Sequence, residues 1–131
     1  MRVLWVCNIM LPVIAEALHR EASNKEGWLS GLLSQIVDRE DTGMTLAVAF
    51  PPPTEAPWRL RVPVPRTNPC ATDEYNITCY GFCEDTVHPD RYQLGLEEEL
   101  RKITEDYDPD VIHCFGTEYP HTLAVCRVYP H

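Results

Sequence analysis

Pro109-Asp110-Val111-Ile112-His113-Cys114-Phe115-Gly116-Thr117-Glu118 is the stretch that decides the fold. Its middle, Val111 to Phe115, is a short apolar run with turn residues on either side. Such runs form parallel strands, because helices cover both faces of the sheet and both sides of the strand are buried. Tyr107-Asp108-Pro109-Asp110 is the turn that enters the strand, and Gly116-Thr117-Glu118 leave its carboxyl end. Pro120 then falls in the first turn of a last helix, His121 to Val128, where a missing N–H costs nothing.

Upstream lies a helical stripe. Tyr92, Leu96, Leu100 and Ile103 recur at helical spacing, with Glu97-Glu98-Glu99 and Arg101-Lys102 on a solvated opposite side. His88-Pro89 is expected to open this helix. Tyr75 to Phe82 has the β-branched and aromatic content of a strand. Prolines crowd residues 51–69, which removes ladder donors and predicts an irregular segment. The alternation Arg59-Leu60-Arg61-Val62 leaves room there for an edge strand only.

Further upstream, Met44 to Phe50 reads as another buried strand and about Gly27 to Asp38 as a helix. Trp28, Leu29, Leu32, Leu33, Ile36 and Val37 form one broad apolar face of that helix. Ser23 or Asn24 caps its start, and Asp41-Thr42-Gly43 stops it. Arg2 to Ile9 is the first strand, and Pro12 after it favours a loop. Trp5 and Trp28 are expected in the core. The order predicts an α/β domain with helices on both faces of a mainly parallel sheet of about four strands.

The 131 residues are enough for one domain with a real core and too few for two. A net charge of −9, with scattered Lys and Arg, argues against nucleic acid or an anionic membrane as partner. There is no signal-peptide pattern and no transmembrane segment, which predicts a cytoplasmic protein. The six cysteines are then expected as reduced thiols, with Cys7 and Cys114 acting as small apolar groups in strands. Cys79, Cys83 and His88 are the weak alternative of a metal site.

In open sheets of this kind, ligands bind outside the carboxyl ends of the strands. That rule selects Asn8 to Pro12, the helix start at Gly27, and Gly116, Thr117 and Glu118, with His121 on the next helix. Helix starts there offer backbone N–H groups to a phosphate. GxGxxG and GxxxxGK[ST] are both missing, so a dehydrogenase or P-loop reading loses its best support. Glu118 is the leading polar candidate, as an alternative to a plain loop acid. His121 stands between a reacting group and a helix-entry residue, Asn8 between a ligand contact and a turn cap. His113 is expected to be a buried structural histidine.

Three stretches carry a resemblance. Arg2-Val3-Leu4-Trp5-Val6-Cys7-Asn8, Gly27-Trp28-Leu29-Ser30-Gly31-Leu32, and Pro109 to His113 followed by Phe115 to Glu118 and Pro120-His121 together resemble the N-terminal domain of family 4-type glycosyltransferases of the GT-B fold. The resemblance implies a Rossmann-like three-layer domain, the acceptor-side N-terminal half of a retaining glycosyltransferase. The C-terminal donor-binding domain would be missing from such a half, leaving it truncated and inactive alone. It further implies a nucleotide-sugar donor as substrate, a glycan, lipid or small-molecule acceptor, and no metal or other cofactor. Gly27, Asn8, Gly116 and Thr117 would then approach the donor, and Glu118 and His121 would be the catalytic candidates. Two positions depart from the family: Glu26 stands where a second glycine is usual, and Phe115 where a second histidine is usual. The alternative reading is a non-catalytic, flavodoxin-like module that binds a nucleotide or a protein.

Overall fold

β1 (Arg2–Val6) lies inside a five-stranded sheet whose order is β3-β4-β2-β1-β5. The computed structural model describes residues 1–21, 27–39, 43–51, 58–71 and 73–130. The remaining elements are α1 (Pro12–Ala17), α2 (Gly27–Val37), β2 (Thr45–Phe50), β3 (Trp58–Val64), β4 (Tyr75–Gly81), α3 (Leu94–Tyr107), β5 (Val111–Cys114) and α4 (Pro120–Val128). β1, β2, β4 and β5 are parallel neighbours, and β3 alone runs antiparallel, against β4. The chain steps from β1 outward to β2 and β4, then returns across β1 to place β5 on its other side.

Period-two alternation feeds two cores. Val3, Trp5, Leu46, Val48, Phe50, Ile77 and Cys79 pack with Leu11 and Ile14 of the α1 region and Leu29, Leu33 and Val37 of α2. Leu4, Val6, Ala47, Ala49 and Tyr80 pack on the other face with Leu96, Leu100 and Ile103 of α3 and Ala124 and Val125 of α4. The small Ala47 and Ala49 let α3 approach the sheet closely. Leu4 and Phe50 are fully buried, and a side chain of that size contributes roughly 1.5–3 kcal/mol on burial.

Several expectations are revised. Pro12 does not begin a loop: it occupies the first turn of α1, where its absent N–H is not needed. α3 starts at Leu94, not at His88-Pro89, because the Asp85 carboxylate accepts from the N–H groups of Val87 and His88 and folds that segment into a turn. Within the proline-rich segment, Trp58–Val64 is a regular edge strand, so the irregular description fails there; 52–57 lie outside the described residues. Pro63 is tolerated because an edge strand can turn the proline nitrogen away from the ladder. The buried stripe of α2 is narrow, Leu29, Leu33 and Val37. Trp28 is 59% exposed rather than in the core, and His113 is exposed rather than buried. The proposed caps Ser23 and Asn24, and the stop residues Asp41 and Thr42, lie outside the described residues.

Gly81 is fixed by packing. A Cβ there would stand 2.6 Å from Trp58 Nε1 and 2.8 Å from Cε2, since the Trp58 indole lies flat across the glycine of its partner strand. The same indole packs edge-on against Phe50, ring centroids 5.5 Å apart. Gly81→Ala is expected to push the ring off Phe50 and cost about 1–3 kcal/mol, the usual penalty for overpacking a filled site. Urea unfolding followed by Trp fluorescence checks this; an unchanged midpoint contradicts it.

Asp38, just past α2, ties that helix to the segment after β3. Its carboxylate accepts from the Thr67 hydroxyl, the Thr67 N–H at 2.8 Å and the Asn68 N–H at 3.4 Å. These bonds, the Thr67 hydroxyl first, hold its pKa below the ordinary value, helped by the nearby Arg66 charge. A carboxyl depressed in the folded state stabilises above its unfolded pKa and loses that contribution as pH falls through its folded value. The urea midpoint is therefore expected to fall on acidification below the usual carboxylate range. Asp38→Asn should lower the midpoint at neutral pH and flatten the acid limb. An acid limb of unchanged slope in Asp38→Asn would remove Asp38 from this account.

Candidate functional site at the carboxyl rim of the sheet

β1 and β5 are parallel, with Trp5 beside His113 and Val6 beside Cys114, so both open on the same rim. The ladder closes with Phe115 N–H donating to Val6 O at 2.8 Å and Cys7 N–H donating to Ala49 O at 2.8 Å. Beyond this point the backbones separate. Strand order reverses around β1, and an α/β sheet forms a crevice at such a switch point.

Gly116 takes the first step out of β5 with φ +77°, in the left-handed region that glycine alone enters at little cost. A Cβ on it would meet Asn8 Cγ and Oδ1 at 3.1 Å and Tyr119 Cδ2 at 2.9 Å. Asn8 and Gly116, selected separately from the sequence, thus lie against each other. The turn closes with Tyr119 N–H donating to Gly116 O at 3.0 Å, and Thr117 and Glu118 are exposed at its tip.

Gly27, exposed at the first position of α2, reaches the same rim through its neighbour. Trp28 packs on Phe115 with ring centroids 5.5 Å apart, and Phe115 also meets Trp5 at 5.2 Å and stacks on His113 at 4.1 Å. Trp28 and His113, both exposed, thus pack on the Phe115 ring, one residue before Gly116. Glu26 lies outside the described residues.

His121 is fully buried and both ring nitrogens are occupied. Nε2 lies 2.7 Å from Phe115 O. A carbonyl only accepts, so Nε2–H donates there. Nδ1 lies 2.8 Å from Glu84 Oε2, and the His121 backbone N–H donates to Glu84 Oε1 at 2.7 Å. Two heavy atoms so close share a proton, so one proton binds imidazole and carboxyl together. The Glu84 side chain is 1% exposed. The pair clamps the segment after β4 to the start of α4 and to the end of β5. No nitrogen of His121 is open to a substrate, so the side chain acts here as a positioning group.

Glu84 escapes sequence reasoning because it follows Phe82 in a stretch with no motif. Its signal is positional: an acid three residues beyond a strand's carboxyl end, with a histidine at the start of another rim helix. Trp28 and His113 were misplaced because periodicity gives a side chain's face and not whether another element covers that face.

Cys79 and Cys114 are unreactive by environment. Burial pushes Cys79 up to about 12 and Cys114 up to about 11, far from the thiolate state that a nucleophile or metal ligand needs. Cys79 faces the core, and among the described residues no three His, Cys, Asp or Glu side chains gather as a metal-binding group. Among the described residues no helix is long and apolar enough to cross a membrane. The chain matches no family model, no curated protein and no solved structure.

Proposed function

We propose that this chain is the Rossmann-like, acceptor-side domain of a retaining glycosyltransferase that takes a nucleotide-sugar donor. The observation that carries the reading is the contact of Asn8 with Gly116 at the switch point between β1 and β5, with the start of α2 on the same rim. The resemblance of the three sequence stretches supplies the enzyme class, and the rim supplies chemistry that suits it. Sugar transfer from a diphosphate depends on positioning and on neutralising charge at the leaving group. Backbone N–H groups at the α2 start and the glycine turn would face the diphosphate. Trp28 and His113 give a sugar ring an aromatic surface. Glu118 is the exposed acid nearest the turn tip and the residue best placed to contact an acceptor hydroxyl. His121 and Glu84 hold the turn in place. In this reading the nucleotide is gripped by a separate donor-binding domain, so the chain by itself binds weakly and does not turn over.

Amide NMR of the 15N-labelled chain, titrated with UDP-, GDP- and ADP-sugars, tests the reading. One sugar nucleotide is expected to shift Gly27, Trp28, Gly116 and Thr117 together, and more than the free nucleotide does. Equal shifts from free nucleotides would favour the non-catalytic binding module. Rim amides unmoved by every donor would end the transferase reading.

A further inference from the structure

At the opposite end of the sheet, on the α3 face, β3 and β4 extend past the helix and leave a cleft of about 440 Å³. Its floor and walls include Arg61, Asn76, Thr78, Thr45, Leu46 and Tyr107. Arg61 and Thr78 are direct cross-strand partners, so their Cβ atoms stand about 5 Å apart on one face. Asn76 is two residues from Thr78 and lies on the same face. A guanidinium, a hydroxyl and a carboxamide thus share one small patch of sheet.

The charges there differ in state. Arg59, the neighbouring cation, is engaged with Asp106 at 3.2 Å. Arg61 has no ion pair or hydrogen bond with any described residue. In a chain of net charge −9, a guanidinium unpaired among the described residues, on a floor of neutral donors, is a local positive spot. Tyr107 is committed elsewhere: its hydroxyl donates to Thr45 O at 3.0 Å, and the Arg2 guanidinium lies over its ring, 4.8 Å from the centroid.

We propose that this cleft is a binding site for a small phosphate ester, separate from the carboxyl rim. A phosphoryl group presents three oxygens, which matches a planar guanidinium fork plus two neutral donors; a carboxylate presents two. The volume exceeds that of phosphate alone, which leaves room beside these donors for an ester's carbon skeleton. The site owes nothing to the glycosyltransferase reading, because none of its residues belongs to the rim.

The test is amide and Arg Nε–H NMR of the whole chain, titrated with inorganic phosphate and with glycerol 3-phosphate, against chloride at matched ionic strength. Saturable shifts are expected at Arg61, Asn76 and Thr78, with glycerol 3-phosphate tighter than phosphate. Arg61→Ala is expected to weaken binding on the order of tenfold, the usual loss of a charge-assisted hydrogen bond. Arg101→Ala, an exposed cation on α3 outside the cleft, is expected to leave binding unchanged. Equal shifts from chloride, or equal weakening by Arg61→Ala and Arg101→Ala, would overturn the site in favour of general ionic screening.

Discussion

Glu84→Ala should be among the most destabilising single changes in this protein, costing about 3–5 kcal/mol, because it breaks a buried pair and abandons the partner. The lost carboxylate serves two donors, His121 Nδ1 and the His121 backbone N–H, both buried at the start of α4. Neither finds water without opening the rim. Glu84→Gln separates chemistry from volume. Its amide oxygen can still accept the backbone N–H, and its NH2 can donate to Nδ1 of a neutral imidazole whose Nε2–H stays on Phe115 O. Glu84→Gln is therefore expected to retain most of the stability that Glu84→Ala loses. Denaturant unfolding of both variants, with His121→Ala and the double variant as a cycle, measures the coupling. A Glu84→Ala midpoint close to that of the unchanged protein would show that the clamp carries no stability.

Gly116→Ala has the second large effect, about 2–5 kcal/mol from two additive sources. A side chain at φ +77° costs roughly 1–2 kcal/mol in the left-handed region. The new methyl also meets Asn8 at 3.1 Å and Tyr119 at 2.9 Å, and overpacking of this kind costs about 1–3 kcal/mol. The clash falls on the residues that build the rim, so the variant also tests function. Amide shifts in Gly116→Ala should spread to Asn8 and Tyr119, and sugar-nucleotide shifts at Gly27 should weaken. Unfolding at the original midpoint, with Asn8 unmoved, would contradict the close packing of this turn.

The sheet was legible because its central strands β1 and β2 are apolar on both sides, and Leu4 and Val48 read as strand whichever face is considered. The parallel pairing of the first and last strands followed from the β-α-β order. The joint position of Asn8 and Gly116 followed from the rule for carboxyl ends. The antiparallel placement of Trp58–Val64 was only half legible: proline excluded a central position, while pairing with β4 depends on contacts such as Trp58 over Gly81 that join residues far apart in the chain. The start of α3 was misread because a side chain, Asp85, captured the N–H groups that a first helical turn would have left open. The burial of His121 was hidden for a similar reason. Its partner Glu84 lies 37 residues away, and helical or strand periodicity reaches only a few positions.

The two borders of the sheet are chemically unlike. On one side, β3 shows the surroundings two arginines and a proline whose nitrogen cannot donate, and such a margin repels an incoming strand. On the other, β5 has a single neighbour and carries the half-exposed Val111 and the exposed His113. Among the described strands, addition of a further strand therefore has one receptive margin. Two copies meeting there in opposite directions would consume both receptive margins and present only guarded ones outward, so self-association by this route stops at a pair and does not extend into a fibre.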